Sequence, residues 1–184
     1  MDIGHRLLQR LDRFGLLFGH GVAWLALLLV LATSLVVVLR YAFGIGSIAL
    51  QESQLYLHAS LFMLGIAYTL RCDEHVRVDI FYRRFSLRRR ALVDLTGTLL
   101  FLLPLCILLL VTCWEYVVVS WQRKEGSADA GGLPYVYLLK TLLVLMPGLL
   151  TLQALAEVLR NVLRLRHPEE PVGDKPAGEG QAWN

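Results

Sequence analysis

The chain has 184 residues, of which 56% are hydrophobic and 18% charged, with a formal net charge of +3. Soluble domains hold about 45–50% apolar residues, so this composition excludes an ordinary soluble domain and points to an integral membrane protein. The small positive excess does not indicate a nucleic-acid partner, because the basic residues gather in connections beside apolar runs rather than on a basic face interleaved with aromatics.

Residues 1–13 carry Ile3, Leu7, Leu8 and Leu11 at helical spacing, with Arg6, Arg10 and Arg13 between them. That pattern predicts a short amphipathic helix lying on the bilayer surface. The 26 residues of 14–39 follow, with His20 as their one ionisable group. A secretory signal has a core of only about 7–15 apolar residues and a small-residue cleavage site, so 14–39 is expected to be a retained first span. Gly44 and Gly46 mark the turn that ends it.

A second span is expected over 48–70, 23 residues where a helix needs about 20 to cross lipid. It leads into a connection, 71–90, that holds seven arginines. The third apolar run, 91–121, would be about 46 Å long as a helix, more than the bilayer core requires. It must tilt, bend or project, and Pro104 is its natural bending point. A polar, glycine-rich turn over 122–134 precedes the fourth run, from 135 to about 165, whose membrane-crossing part is placed at 135–159 and which contains Pro147-Gly148. The tail, 166–184, is rich in proline and acids, poor in apolar residues, and reads as a disordered cytoplasmic segment.

The expected fold is therefore all-α: four transmembrane helices in one membrane domain, 14–165, preceded by the interfacial helix. Fourteen Lys and Arg residues fall on the side shared by the first segment, the 71–90 connection and the tail, against three on the other side. Basic connections stay in the cytoplasm, so both termini are expected there.

Cys72, Cys106 and Cys113 form no CxxC pair. Cys106 and Cys113 share a helix face about 10.5 Å apart along the axis, too far for a disulfide. No metal is expected, because His75 with Asp79 supplies at most two ligands where structural zinc takes four. Nothing in the sequence assembles a nucleophile with its base, a phosphate-cradling loop or a carboxylate dyad, so catalysis and a cofactor are not expected.

Ionisable groups within a span usually face protein or water and find a partner, which singles out Glu52, Glu115 and Lys140. All three fall in one layer, about 6–9 Å inside the outer boundary. Lys140 is expected to neutralise Glu52 or Glu115 within the bundle or against a partner chain; the alternative is that all three reach the outer interface separately. Asp94 after Arg88, Arg89 and Arg90, and Glu157 before Arg160, have the spacing of pairs at the cytoplasmic boundary. Trp114, Tyr116, Trp121, Tyr135 and Tyr137 suggest an interfacial aromatic belt. His58 lies near mid-membrane and His20 near the inner boundary, a mismatch of about 9 Å that disfavours a shared haem. His58 is expected to be a buried hydrogen-bonding group between helices. His75, Arg77 and Asp79 alternate with Val76 and Val78; in the simplest reading this loop anchors at the lipid headgroups.

The order Glu52, then Leu61-Phe62-Met63-Leu64-Gly65, then His75-Val76-Arg77-Val78-Asp79 resembles the small membrane subunit of tripartite ATP-independent periplasmic (TRAP) transporters, over roughly 14–165. The resemblance implies a non-catalytic subunit of a sodium-coupled importer (a symporter) of an organic acid in the inner membrane. It also implies two partners, a large membrane subunit that carries the substrate and sodium sites and a periplasmic substrate-binding protein, with this subunit joining the stationary scaffold. The alternatives from other classes are a membrane anchor of a redox enzyme and a self-sufficient homo-oligomeric channel.

Overall fold

A computed structural model describes residues 3–72 and 85–166. The described backbone is helical with short connections and contains no strand: α1 (Ile3–Ala42), α2 (Ile48–Cys72), α3 (Leu87–Gly97), a π-helical turn (Thr98–Leu102), α4 (Leu103–Arg123) and α5 (Val136–Arg166). α5 is the central helix, in contact with α1, α2, α3 and α4, while α1 packs mainly on α2.

α1 is one uninterrupted helix of 40 residues, about 60 Å at 1.5 Å per residue. No break separates residues 3–13 from the apolar run, so the expected N-terminal helix is continuous with the helix that follows it. No proline stands near Arg13, and the helical ladder continues through Asp12, Phe14 and Gly15 although Asp and Gly are common at helix ends. α1 ends where Gly44 takes φ +67° and the Ile45 N–H returns to the Leu39 carbonyl at 2.9 Å, a left-handed position that glycine occupies without steric cost. α2 starts at Ser47, whose hydroxyl accepts the Leu50 N–H at 3.4 Å as an N-cap.

Small residues set the α1–α2 contact. A methyl group at Gly19 would collide with the Tyr68 ring, and one at Gly65 would meet Val22 at 3.9 Å. The Gln54 amide donates to the Ala32 carbonyl across the same contact at 3.4 Å.

Pro104 has no N–H for the Leu100 carbonyl. The backbone absorbs this with the π turn just before it, where the Leu103 N–H reaches the Thr98 carbonyl, so the expected irregularity takes the form of a wider turn. Pro147 is buried within α5, and the Thr151 hydroxyl donates to its carbonyl at 2.7 Å.

Among the described residues three helical segments are long and apolar enough to cross a membrane: Gly21–Ala42, Arg88–Arg123 and Val136–Leu165. α2 is not one of them. Its 25 residues span about 37 Å, but its first half carries Gln51, Glu52, Ser53, Gln54 and His58.

Candidate functional site

Two groups of ion-paired side chains stand out in the described structure, one at the α4–α5 connection and one in the C-terminal half of α5. The connection is ordered by its own backbone. α4 closes with Lys124 in the left-handed region (φ 47°, ψ 50°). The Lys124 N–H bonds to the Trp121 carbonyl at 3.3 Å and the Glu125 N–H to the Ser120 carbonyl at 3.1 Å. This is a Schellman ending with lysine in the usual glycine place. Beyond it the Ser127 N–H meets the Leu133 carbonyl at 2.9 Å, and the Gly132 N–H meets the Asp129 carbonyl at 3.0 Å. Gly131, at φ +84°, holds the third position of that turn, where a positive φ favours glycine. The Asp129 N–H is taken by the Ser127 hydroxyl at 3.1 Å.

Glu52 of α2 reaches into this connection. One carboxylate oxygen accepts the Ser127 hydroxyl, and the other accepts the Leu133 N–H at 2.6 Å. Gly132 permits the approach, since a methyl there would stand 2.7 Å from the Glu52 oxygen. A carboxylate held by neutral donors therefore ties α2 to the loop joining α4 and α5.

Lys140 does not pair with Glu52 or Glu115. Its ammonium donates to both carboxylate oxygens of Glu125, at 2.6 and 2.7 Å, and lies 4.1 Å from the centre of the Tyr116 ring. The expected pairing is corrected because the Schellman ending turns Glu125 back over the first turns of α5, where Lys140 sits one helix away. Glu125 lies in the connection, and the hydrogen bond from Lys140 is the main cause of a carboxyl pKa below its usual value. Lys124 lies over the Trp121 and Tyr137 rings at 4.9 and 5.1 Å. Trp121 donates its indole N–H to Thr141 at 2.9 Å and meets Tyr137 edge to face at 4.8 Å.

Glu115 is exposed on α4 and makes no hydrogen bond or ion pair among the described residues. His58 is exposed on α2, which corrects its expected burial between helices: α1 and α5 cover two sides of α2, and His58 falls on the third. His75, Arg77 and Asp79 lie outside the described residues.

The second polar group is buried. Arg160 and Glu157, 1% and 6% exposed, form an ion pair of 2.6 Å between Nη1 and Oε1. Gln153 and Asn161, 7% and 1% exposed, lie beside them on the same helix. The spacing Glu157–Arg160 identified the pair, and its burial within the protein is what the spacing did not reveal.

Among the described residues no three His, Cys, Asp or Glu side chains converge to hold a metal. Cys106 and Cys113 are free thiols. Glu125, Ser127, Gly132 and Leu133 are the residues that sequence reasoning missed, and Gly131-Gly132 beside Ser127 was the available signal of a tight, hydrogen-bonded connection.

Compared with known proteins, residues 29–164 match the family model described as "Tripartite ATP-independent periplasmic transporters, DctQ component". No curated protein and no solved structure matches the chain.

Proposed function

Since the chain belongs to the DctQ component family of tripartite ATP-independent periplasmic transporters, a family of transporter parts and not of enzymes, we propose that it is the stationary small membrane subunit of a sodium-coupled importer of an organic acid. In this reading it works beside a large membrane subunit, which carries substrate and sodium, and a periplasmic substrate-binding protein. All four long helices cross the inner membrane, with both chain ends in the cytoplasm. The first turns of α1, from Ile3, continue it to the cytoplasmic interface. The connection between α4 and α5 faces the periplasm.

The observation that carries this reading is the tie from Glu52 to Ser127 and Leu133. A moving carrier places polar groups around a mid-membrane site built from broken helices. Here the polar contacts brace the bundle toward both ends, the Glu52 tie and the Glu125–Lys140 pair at one and the Glu157–Arg160 pair toward the other, as a scaffold requires. The same tie supports α2 as a span in spite of its polar first half: Glu52 and Gln54 are hydrogen-bonded within the protein, which removes much of the cost of placing them in lipid. Family membership does not favour the redox-anchor or self-sufficient channel readings.

Reconstitution tests the proposal. Proteoliposomes holding this chain, the large subunit and the binding protein take up the organic acid only with an inward sodium gradient, whereas those holding this chain alone take up neither. Transport by this chain alone overturns the assignment. Labelling of an Arg83→Cys variant from the cytoplasmic side only tests the orientation.

A further inference from the structure

α2 leaves one narrow face uncovered. Its exposed positions include Gln51, Leu55, His58 and Phe62, spaced by four, three and four residues, so they form a single stripe along the helix. Leu55 is 56% and Phe62 68% exposed. α1 and α5 cover the other sides.

The chemistry of this stripe is wrong for lipid. His58 lies ten residues from the start of α2, about 15 Å along the axis and so near the middle of a bilayer about 30 Å thick. The short imidazole does not reach either interface from there, and it has no hydrogen-bond partner among the described residues. The exposed stripe of α5 differs, because Leu138, Leu145, Leu152 and Leu155 are all leucines, which lipid solvates well. Glu115 also differs. It is eight residues from the end of α4, about 12 Å along the axis, beside exposed Trp114 and Tyr116, and its flexible side chain can extend toward headgroups.

We propose that the α2 face bearing Gln51, Leu55, His58 and Phe62 is the surface on which a transmembrane helix of the large membrane subunit packs, presenting a hydrogen-bonding side chain to His58. The inference rests on the reading of this chain as the small subunit. The family is one component of a three-part assembly, so the expected neighbour in the membrane is a different chain. Leu55 and Phe62 supply apolar contact one turn either side of His58, and Gln51 extends the polar contact toward the N-terminal end of α2.

The test uses the complete transporter in native membranes. A benzophenone amino acid is placed singly at positions 55, 58 and 62, with Val111 on α4 (70% exposed) and Trp24 on α1 (68% exposed) as comparison sites. Irradiation is expected to give adducts with the large subunit several-fold stronger from 55, 58 and 62 than from 111 or 24. His58→Leu is expected to weaken co-purification of the large subunit roughly 3- to 10-fold. The thermal stability of the isolated small subunit should not change, and His58→Gln should retain most of the association. Large-subunit adducts mainly from 111 or 24, or adducts between two copies of this chain from the α2 sites, overturn the proposed face and leave the small-subunit reading intact. Failure of the wild-type chain to co-purify with a large subunit, with no adduct from any position, overturns that reading together with the face.

Discussion

Lys140 grips Glu125 through both carboxylate oxygens, at 2.6 and 2.7 Å, and so closes the hairpin of α4 and α5 at its connected end. The pair is 15% and 39% exposed by side chain, so it owes its effect to two-point geometry and to the Tyr116 ring beside it rather than to deep burial. Its dependence on pH follows from its charge. Glu125 has a lowered pKa in the folded state, so its contribution is present above the ordinary carboxylate range and is lost as pH falls through the folded value. Amide protection factors in the connection, taken relative to the intrinsic exchange rate at each pH, should therefore be constant from neutral pH to about 5 and fall only in stronger acid. Lys140→Met should raise exchange at neutral pH and flatten the acid dependence.

Gly132 is expected to be sensitive because Ser127 and Glu52 approach it so closely. Gly132→Ala drives a methyl into the Ser127 side chain and to 2.7 Å from the Glu52 oxygen and should cost about 1–3 kcal/mol, in the range of other overpacked sites. Combined with Ser127→Gly, which removes the nearest contact, the same change should cost much less than the sum of the two single substitutions. Thermal unfolding in detergent, run as a double-mutant cycle, measures the difference, and additive effects would count against the close approach.

Two substitutions at Lys124 separate backbone strain from side-chain contact. Lys124→Ala removes the contacts with the Trp121 and Tyr137 rings but keeps a Cβ at φ 47°. Lys124→Gly removes the same contacts and relieves the left-handed position. The glycine variant should be the more stable by about 1 kcal/mol, read from their unfolding midpoints.

Arg160 is 1% exposed, and its partner Glu157 is buried as well. Arg160→Met deprives a buried carboxylate of this ion pair and should cost about 3–5 kcal/mol. Adding Glu157→Leu should recover part of the loss, because an apolar pair of similar volume is tolerated in place of a buried ion pair. Thermal melts of the two variants make the comparison.

These sites differ in how far the sequence announced them. The helices were legible because long apolar runs leave few other options in lipid, and Gly44 and Pro104 marked local features that the backbone expresses. The partner of Lys140 was not legible. It depends on a left-handed lysine at position 124, and no pattern distinguishes such a lysine from one in an ordinary polar turn. Glu52 stood out as a charge needing compensation, but a hydroxyl and a backbone N–H supply it, and neither leaves a complementary charge to search for. The exposure of His58 was hidden for a related reason: the sequence shows that the residue lies within a helix but not which sides of that helix its neighbours cover.

The tie from Glu52 to Leu133 also sets an order of events during synthesis. The two residues are 81 positions apart, so at about 5–20 residues per second the ribosome adds Leu133 about 4–16 s after Glu52. For that interval the acid at the head of α2 lacks its eventual donors, and the N-terminal hairpin must be held in the translocation machinery or rest with its carboxylate in water. Completion of the last hairpin then fixes α2 in place, making the final membrane segment the one that locks the earlier ones.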